Sequence, residues 1–246
     1  MVRFVVHLVT DVSTVSSGSK MTNEALVENL YVRFRTLLDA EDKYGCVRLA
    51  LDSLKSGEID IVSLYQDVLR RAAREEFCTL RQRNLCIWEE HVRTSIVRTV
   101  LECCFPIIME ARGRKHGDNP RGKVVVVCPT EEYHELGARM AADFFTLCGF
   151  DVTFVGANTP QEQIVEAVGD IDPAYVGVSV TNPYNLIAVR RTVEHLREVR
   201  SRVGAGFRIV LGGDAIANRP EMVQQLGGDE LVESYQDICE LVGDGS

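Results

Sequence analysis

The feature that most constrains this chain is a set of short apolar runs in its second half. "KVVVVC", "DVTFVG", "YVGVSV" and "FRIVLGG" begin at Lys123, Asp151, Tyr175 and Phe207. Between them lie amphipathic stretches such as "HELGARMAADFFTLCG" and "NLIAVRRTVEHLREVRSRVG". Continuous apolar strands alternating with amphipathic helices require a parallel sheet covered on both faces. Residues 123–246 are therefore expected to form a Rossmann-like (flavodoxin-like) α/β domain. Sheets of this kind bind ligands at the carboxyl ends of their strands.

The first half has a different period. From residue 21 to about 112 the pattern is helical and almost free of glycine and proline. "NEALVENLYVRFRTLLDA" has apolar residues at three- and four-residue spacing, with Asn23 as the expected N-cap. A second helix is expected over 44–54, ending at Ser56-Gly57. A third covers "DIVSLYQDVLRRAAREEF", and a fourth starts near Leu85 and is expected to kink or shorten at Pro106. Four helices with short connections imply a bundle. Residues 113–122, "GRKHGDNPRG", are polar and turn-rich and read as a linker with an exposed His116. The first twenty residues read as a flexible segment.

Composition removes several function classes. A net charge of −9 is wrong for a nucleic-acid surface. The short apolar run at the start suits neither a signal segment nor a membrane span. Eight cysteines carry no C-x-x-C spacing, so the expectation is a reducing cytoplasm rather than a disulfide or zinc framework.

Three strand ends carry the chemistry. After the first strand comes Glu132-Tyr133-His134-Glu135-Leu136-Gly137, the third ends in Ser179-Val180-Thr181, and the fourth ends in Gly212-Gly213. An imidazole nitrogen is a good transition-metal ligand, and a carboxylate on the other ring nitrogen fixes its tautomer. Glu132 is placed to serve His134 directly or through a water. Gly137 lets the next helix pass close to a bulky ligand, and Ser179 and Thr181 offer hydroxyls. Gly212 and Gly213 are expected to clear space for a nucleotide-like tail. In this order the three signals resemble the cobalamin-binding domain signature, Asp-x-His-x-x-Gly, Ser-x-Leu or Ser-x-Thr, and Gly-Gly. The resemblance covers residue 123 to the C-terminus. It implies cobalamin bound base-off, with His134 replacing the cofactor's own dimethylbenzimidazole on cobalt. Glu132 stands where Asp is usual, and with the run that follows it resembles the light-sensing CarH/LitR type more than methyl-transferring corrinoid proteins.

In that photoreceptor family the bundle caps the upper corrin face, with a Trp, nine residues, then Glu-His. Here Glu90-His91 lie in "WEEHVRTSIVRTVLE", while the Trp position holds Leu80. The smaller Leu80 is sterically compatible with a bilin such as biliverdin beside cobalamin, as in photocobilin-like proteins. The alternative for this helix is a bundle histidine at 91, a solvated Glu90 and Trp88 as core. The resemblance thus implies a stand-alone light-responsive sensory module without a DNA-binding domain, acting on an unidentified output protein. Two other functions stay open: the corrinoid methyl carrier of a methyltransferase system, and a haem-binding sensor on the same fold. Exposed bundle faces are compatible with a homodimer.

Overall fold

The computed structural model describes residues 22–74, 86–204 and 206–244. The helical half opens with α1 (Asn23–Asp39) and α2 (Lys43–Ser56). The cap of α1 is Thr22, one residue before the expected Asn23; its hydroxyl accepts from the Ala25 amide. Gly57 closes α2 in the left-handed region at φ 73°, a conformation open to glycine at little cost. The third expected helix is not uniform. It comprises α3 (Ile61–Ser63), a π-helical stretch Leu64–Leu69, and α4 (Arg70–Arg74). Asp60 caps it by accepting from the Val62 and Ser63 amides. The π stretch buries Leu64, Tyr65, Val68 and Leu69.

The fourth helix, α5 (Cys86–His116), runs through Pro106 without ending there. At 1.5 Å per residue its 31 residues extend for about 46 Å. It includes the first residues of the stretch read as a linker. His116 is accordingly not an exposed linker residue: its side chain is largely covered and its Nε2 lies 3.0 Å from the Leu147 carbonyl.

The second half is a five-stranded parallel sheet in the order β2-β1-β3-β4-β5. Its strands are β1 (Lys123–Pro129), β2 (Asp151–Thr159), β3 (Tyr175–Ser179), β4 (Arg208–Gly212) and β5 (Glu230–Leu231). The helices α6 (Leu136–Leu147), α7 (Gln161–Ile171), α8 (Leu186–Val203), α9 (Pro220–Leu226) and α10 (Tyr235–Val242) surround it. This is the flavodoxin-like order, which puts the topological switch between β1 and β3.

The two-residue period of β1 divides the core. Val124, Val126 and Cys128 join a cluster with Met140, Phe144 and Phe145 of α6 and with Phe34, Tyr65 and Val97 of the bundle. Val125 and Val127 face the other way, toward Ile164, Val193 and Ile209. The bundle core therefore continues into one sheet face, and the bundle holds α5 beside the carboxyl end of β1.

Candidate functional site

The loop after β1 is built around a buried acid. Glu132 is fully buried and accepts hydrogen bonds on both carboxylate oxygens. Oε1 takes the His134 amide at 3.0 Å and stands 2.6 Å from His134 Nδ1. Oε2 takes the amides of Thr181 and Asn182, each at 2.9 Å, and the side-chain amide of Asn185 at 3.2 Å. Burial alone would raise this carboxyl; the bonds from His134, Asn182 and Thr181 overcome it and hold the pKa down at about 2.

An ionised carboxylate can only accept, so Nδ1 of His134 carries the proton and Nε2 of the neutral ring keeps its lone pair. The bond to Glu132 raises the His134 pKa against desolvation, with the charges of Glu132 and Glu90 adding to it. Nε2 lies 4.0 Å from Glu90 Oε1 on α5. Glu135 bonds the Ala157 amide at 3.2 Å and pairs with Arg98 of α5 at 2.9 Å.

Nε2 opens toward a cavity of about 260 Å³ between the strand ends and the bundle. The β1–α6 segment contributes Tyr133, His134 and Gly137; β3 and its loop contribute Ser179 and Thr181; β4 and its loop contribute Gly212 and Gly213. The bundle contributes Glu90, His91 and Thr94 from α5, with Gln66, Arg70 and Arg74 opposite. The cavity continues between sheet and helices past Val126, Phe145, Gly177 and Ile238. All sequence-selected site residues except Glu132 and Leu80 line it. Glu132 lies beneath it, and Leu80 lies outside the described residues.

The signature glycines do not share one role: a Cβ on Gly212 would lie 2.8 Å from the Val232 carbonyl oxygen, and one on Gly213, at φ +105°, would fall on the Val180 carbonyl. Close backbone packing requires these two even without a ligand, and both also line the cavity. A Cβ on Gly137 would meet nothing within 4 Å, so this glycine leaves cavity space open. Trp88 is 68% exposed and is not core. The residue missed from the sequence is Asn185, which stands 53 positions from Glu132 in no motif with it.

Residues 122–240 match the B12 binding domain. Trimethylamine corrinoid protein 1 of Methanosarcina acetivorans is 21% identical over 217 residues, covering 87% of this chain and 96% of that protein. The HTH-type transcriptional repressor CarH of Myxococcus xanthus is 28% identical over 142 residues, 58% of this chain and 44% of the repressor. A corrinoid protein of Desulfitobacterium hafniense is 22% identical over 130 residues, 53% of this chain and 58% of its own length. The chain thus spans about half the length of the last two. The monomethylamine corrinoid protein of Methanosarcina barkeri has the same fold, with a TM-score of 0.73 over 88% of this chain and 98% of its own at 12% identity. The B12-type reading suits the cavity: it has an accessible imidazole nitrogen on one wall, and Gly137 and Gly177 put no side chain into it. Among the described residues no helix is long and apolar enough to cross a membrane.

Proposed function

We propose that this protein binds cobalamin between bundle and sheet as a sensory module, with His134 as the lower axial ligand. The observation that carries the reading is the Glu132–His134 pair: a buried, ionised acid fixes Nδ1–H and leaves Nε2 facing the cavity. A carboxylate behind a metal-binding histidine sets its orientation and basicity. When bound, the corrinoid supplies a cobalt whose upper ligand can be exchanged or released by light. The chain's own residues do the rest: His134 presents the nitrogen, Gly137 leaves room, and Ser179 and Thr181 line the cavity wall. Glu90 and His91 stand on the bundle side, where they would contact whatever occupies the upper face. Repacking of the bundle would carry the signal to an output partner.

The second reading is a corrinoid methyl carrier that docks on a methyltransferase. The likeness to the trimethylamine corrinoid protein over nearly the whole of both chains favours it. The Glu90-His91 pair of α5 beside the cavity favours the sensor, since the photoreceptor resemblance puts such a Glu-His pair over the upper corrin face. A bilin companion to the corrinoid rests on Leu80 alone.

The deciding experiment is absorption spectroscopy of protein loaded in the dark with adenosyl- or hydroxocobalamin, with and without biliverdin. Spectra are taken before and after green and red light and repeated for His134→Ala. The sensor reading expects a histidine-bound, base-off spectrum that changes with light and is altered by the substitution. Tight binding with no light response selects the carrier. Absence of binding removes both.

A further inference from the structure

Asn185 closes a three-way contact that no sequence motif announces. It ends the short 3-10 turn Pro183–Asn185 that precedes α8, and it is 6% exposed. Its Nδ2 donates to Glu132 Oε2 at 3.2 Å and to the Glu131 carbonyl at 3.0 Å. Glu131 stands at φ 67°, a conformation non-glycine residues hold only when their surroundings fix it. Asn158 secures the other side of this residue, its Oδ1 accepting from the Glu131 amide at 2.9 Å. One buried amide thus ties the strained residue and the carboxylate behind His134 to the loop after β3. Ser179 is where the sequence signature offers a hydroxyl for such a role, yet among the described residues the donors to the Glu132 carboxylate are His134, Thr181, Asn182 and Asn185.

We propose that Asn185 is a positioning residue for His134, holding Glu132 so that the imidazole keeps its Nδ1–H tautomer and aims Nε2 into the cavity. Thr181 and Asn182 hold Glu132 through backbone amides, which no substitution other than proline removes. Asn185 is the side chain through which the sequence sets this contact. The proposal rests on His134 being the axial ligand only for its consequence at cobalt. Its consequence for the tautomer is independent of any cofactor.

The test uses the full chain with isotope-labelled histidine in two states. Without cofactor, long-range proton–nitrogen correlation spectra read the tautomer of His134. Wild type is expected to hold the proton on Nδ1, and Asn185→Leu, similar in size but with no donor, to populate both tautomers. With cobalamin reduced to the cobalt(II) state, electron paramagnetic resonance reads histidine nitrogen coupled to cobalt. Asn185→Leu is expected to show a mixture of histidine-bound and unbound forms and about tenfold weaker binding, the usual scale for losing an outer partner of a ligand. If circular dichroism shows that the leucine variant is not folded, Asn185→Asp, which has the same shape but an acceptor in place of the donor, is read instead. A folded variant that keeps the wild-type tautomer and the full histidine coupling overturns the proposal. Lack of histidine coupling in wild type would remove the axial assignment instead, and the cofactor-free spectra would still decide the role of Asn185.

Discussion

At the scale of single residues, three signature glycines separate packing from binding. Gly137 opens onto the cavity, and a methyl group there meets no neighbour. In helix α6 alanine is intrinsically favoured over glycine, so Gly137→Ala should leave stability unchanged or raise it by about 0.5 kcal/mol. The same methyl occupies cavity space, and cobalamin affinity should fall; a thermal melt and a binding titration read the two effects separately. Gly213→Ala should behave in the opposite way. Its φ of +105° and the Val180 carbonyl in the path of a Cβ predict a loss of roughly 2–3 kcal/mol with or without ligand. An unchanged melt for Gly213→Ala would contradict this packing account. The Glu132–His134 spacing was legible because both residues share one loop, so sequence distance equals spatial closeness. Asn185 was not, because only the order of β1 and β3 in the sheet brings it to Glu132. Gly212 and Gly213 were legible as a pair but not in their cause, which lies in the neighbouring backbones.

Among the elements, the docking of α6 on the π-helical stretch carries a pH dependence. Tyr65 of that stretch donates to Asp143 of α6 at 2.8 Å, and both are buried. Burial pushes the Asp143 pKa from 3.8 up to about 6, against the Tyr65 bond and the charge of Arg139. The folded state therefore holds this proton more tightly than the unfolded chain does. The contribution of this group to stability should fall as pH rises from about 4 to about 6 and level off above. The shift corresponds to at most about 3 kcal/mol. Asp143→Asn keeps an acceptor for Tyr65 and removes the charge. It should be more stable than wild type by ~1–3 kcal/mol at pH 7, with the difference vanishing below about pH 4. Urea unfolding at both pH values checks this; an equal difference at the two would rule out the charge as its cause. Strands β1, β3 and β4 were legible because buried parallel strands are apolar throughout, and the edge strand β2 because Val152 and Phe154 alternate toward the core. The two-residue β5 and the π-helical stretch were not, since neither changes the local apolar pattern.

Across the whole molecule, the helical half and the sheet half are not independent bodies. One apolar cluster runs from Phe34 and Val97 through Tyr65 to Phe144 and Val126, and the Tyr65 and Phe144 rings meet at 5.8 Å. Polar contacts follow the same boundary. Arg98 pairs with Glu135, Glu102 with Arg139, and Arg74 with Asp214; Arg70 reaches the Glu233 carbonyl and Gln66 the Tyr235 amide. The sequence showed two halves by their change of period, but it could not show that α6 buries one side on the sheet and another on the bundle. Removing the bundle would uncover side chains the size of Phe144, each worth about 1.5–3 kcal/mol when buried. Two or three such losses approach the ~5–15 kcal/mol that stabilises a whole domain. The full chain should therefore unfold in one transition, and a fragment of residues 117–246 should bind a hydrophobic dye and melt without a sharp midpoint. A fragment with its own cooperative melt would show that the sheet half is self-sufficient. The bundle would then be a detachable cover, free to lift from His134 without unfolding its support. A single transition instead means that the bundle cannot leave the sheet half without destabilising it, so any response at the cavity repacks α5 against α6 and the loop before it, where Glu90, Arg98 and Glu102 face His134, Glu135 and Arg139.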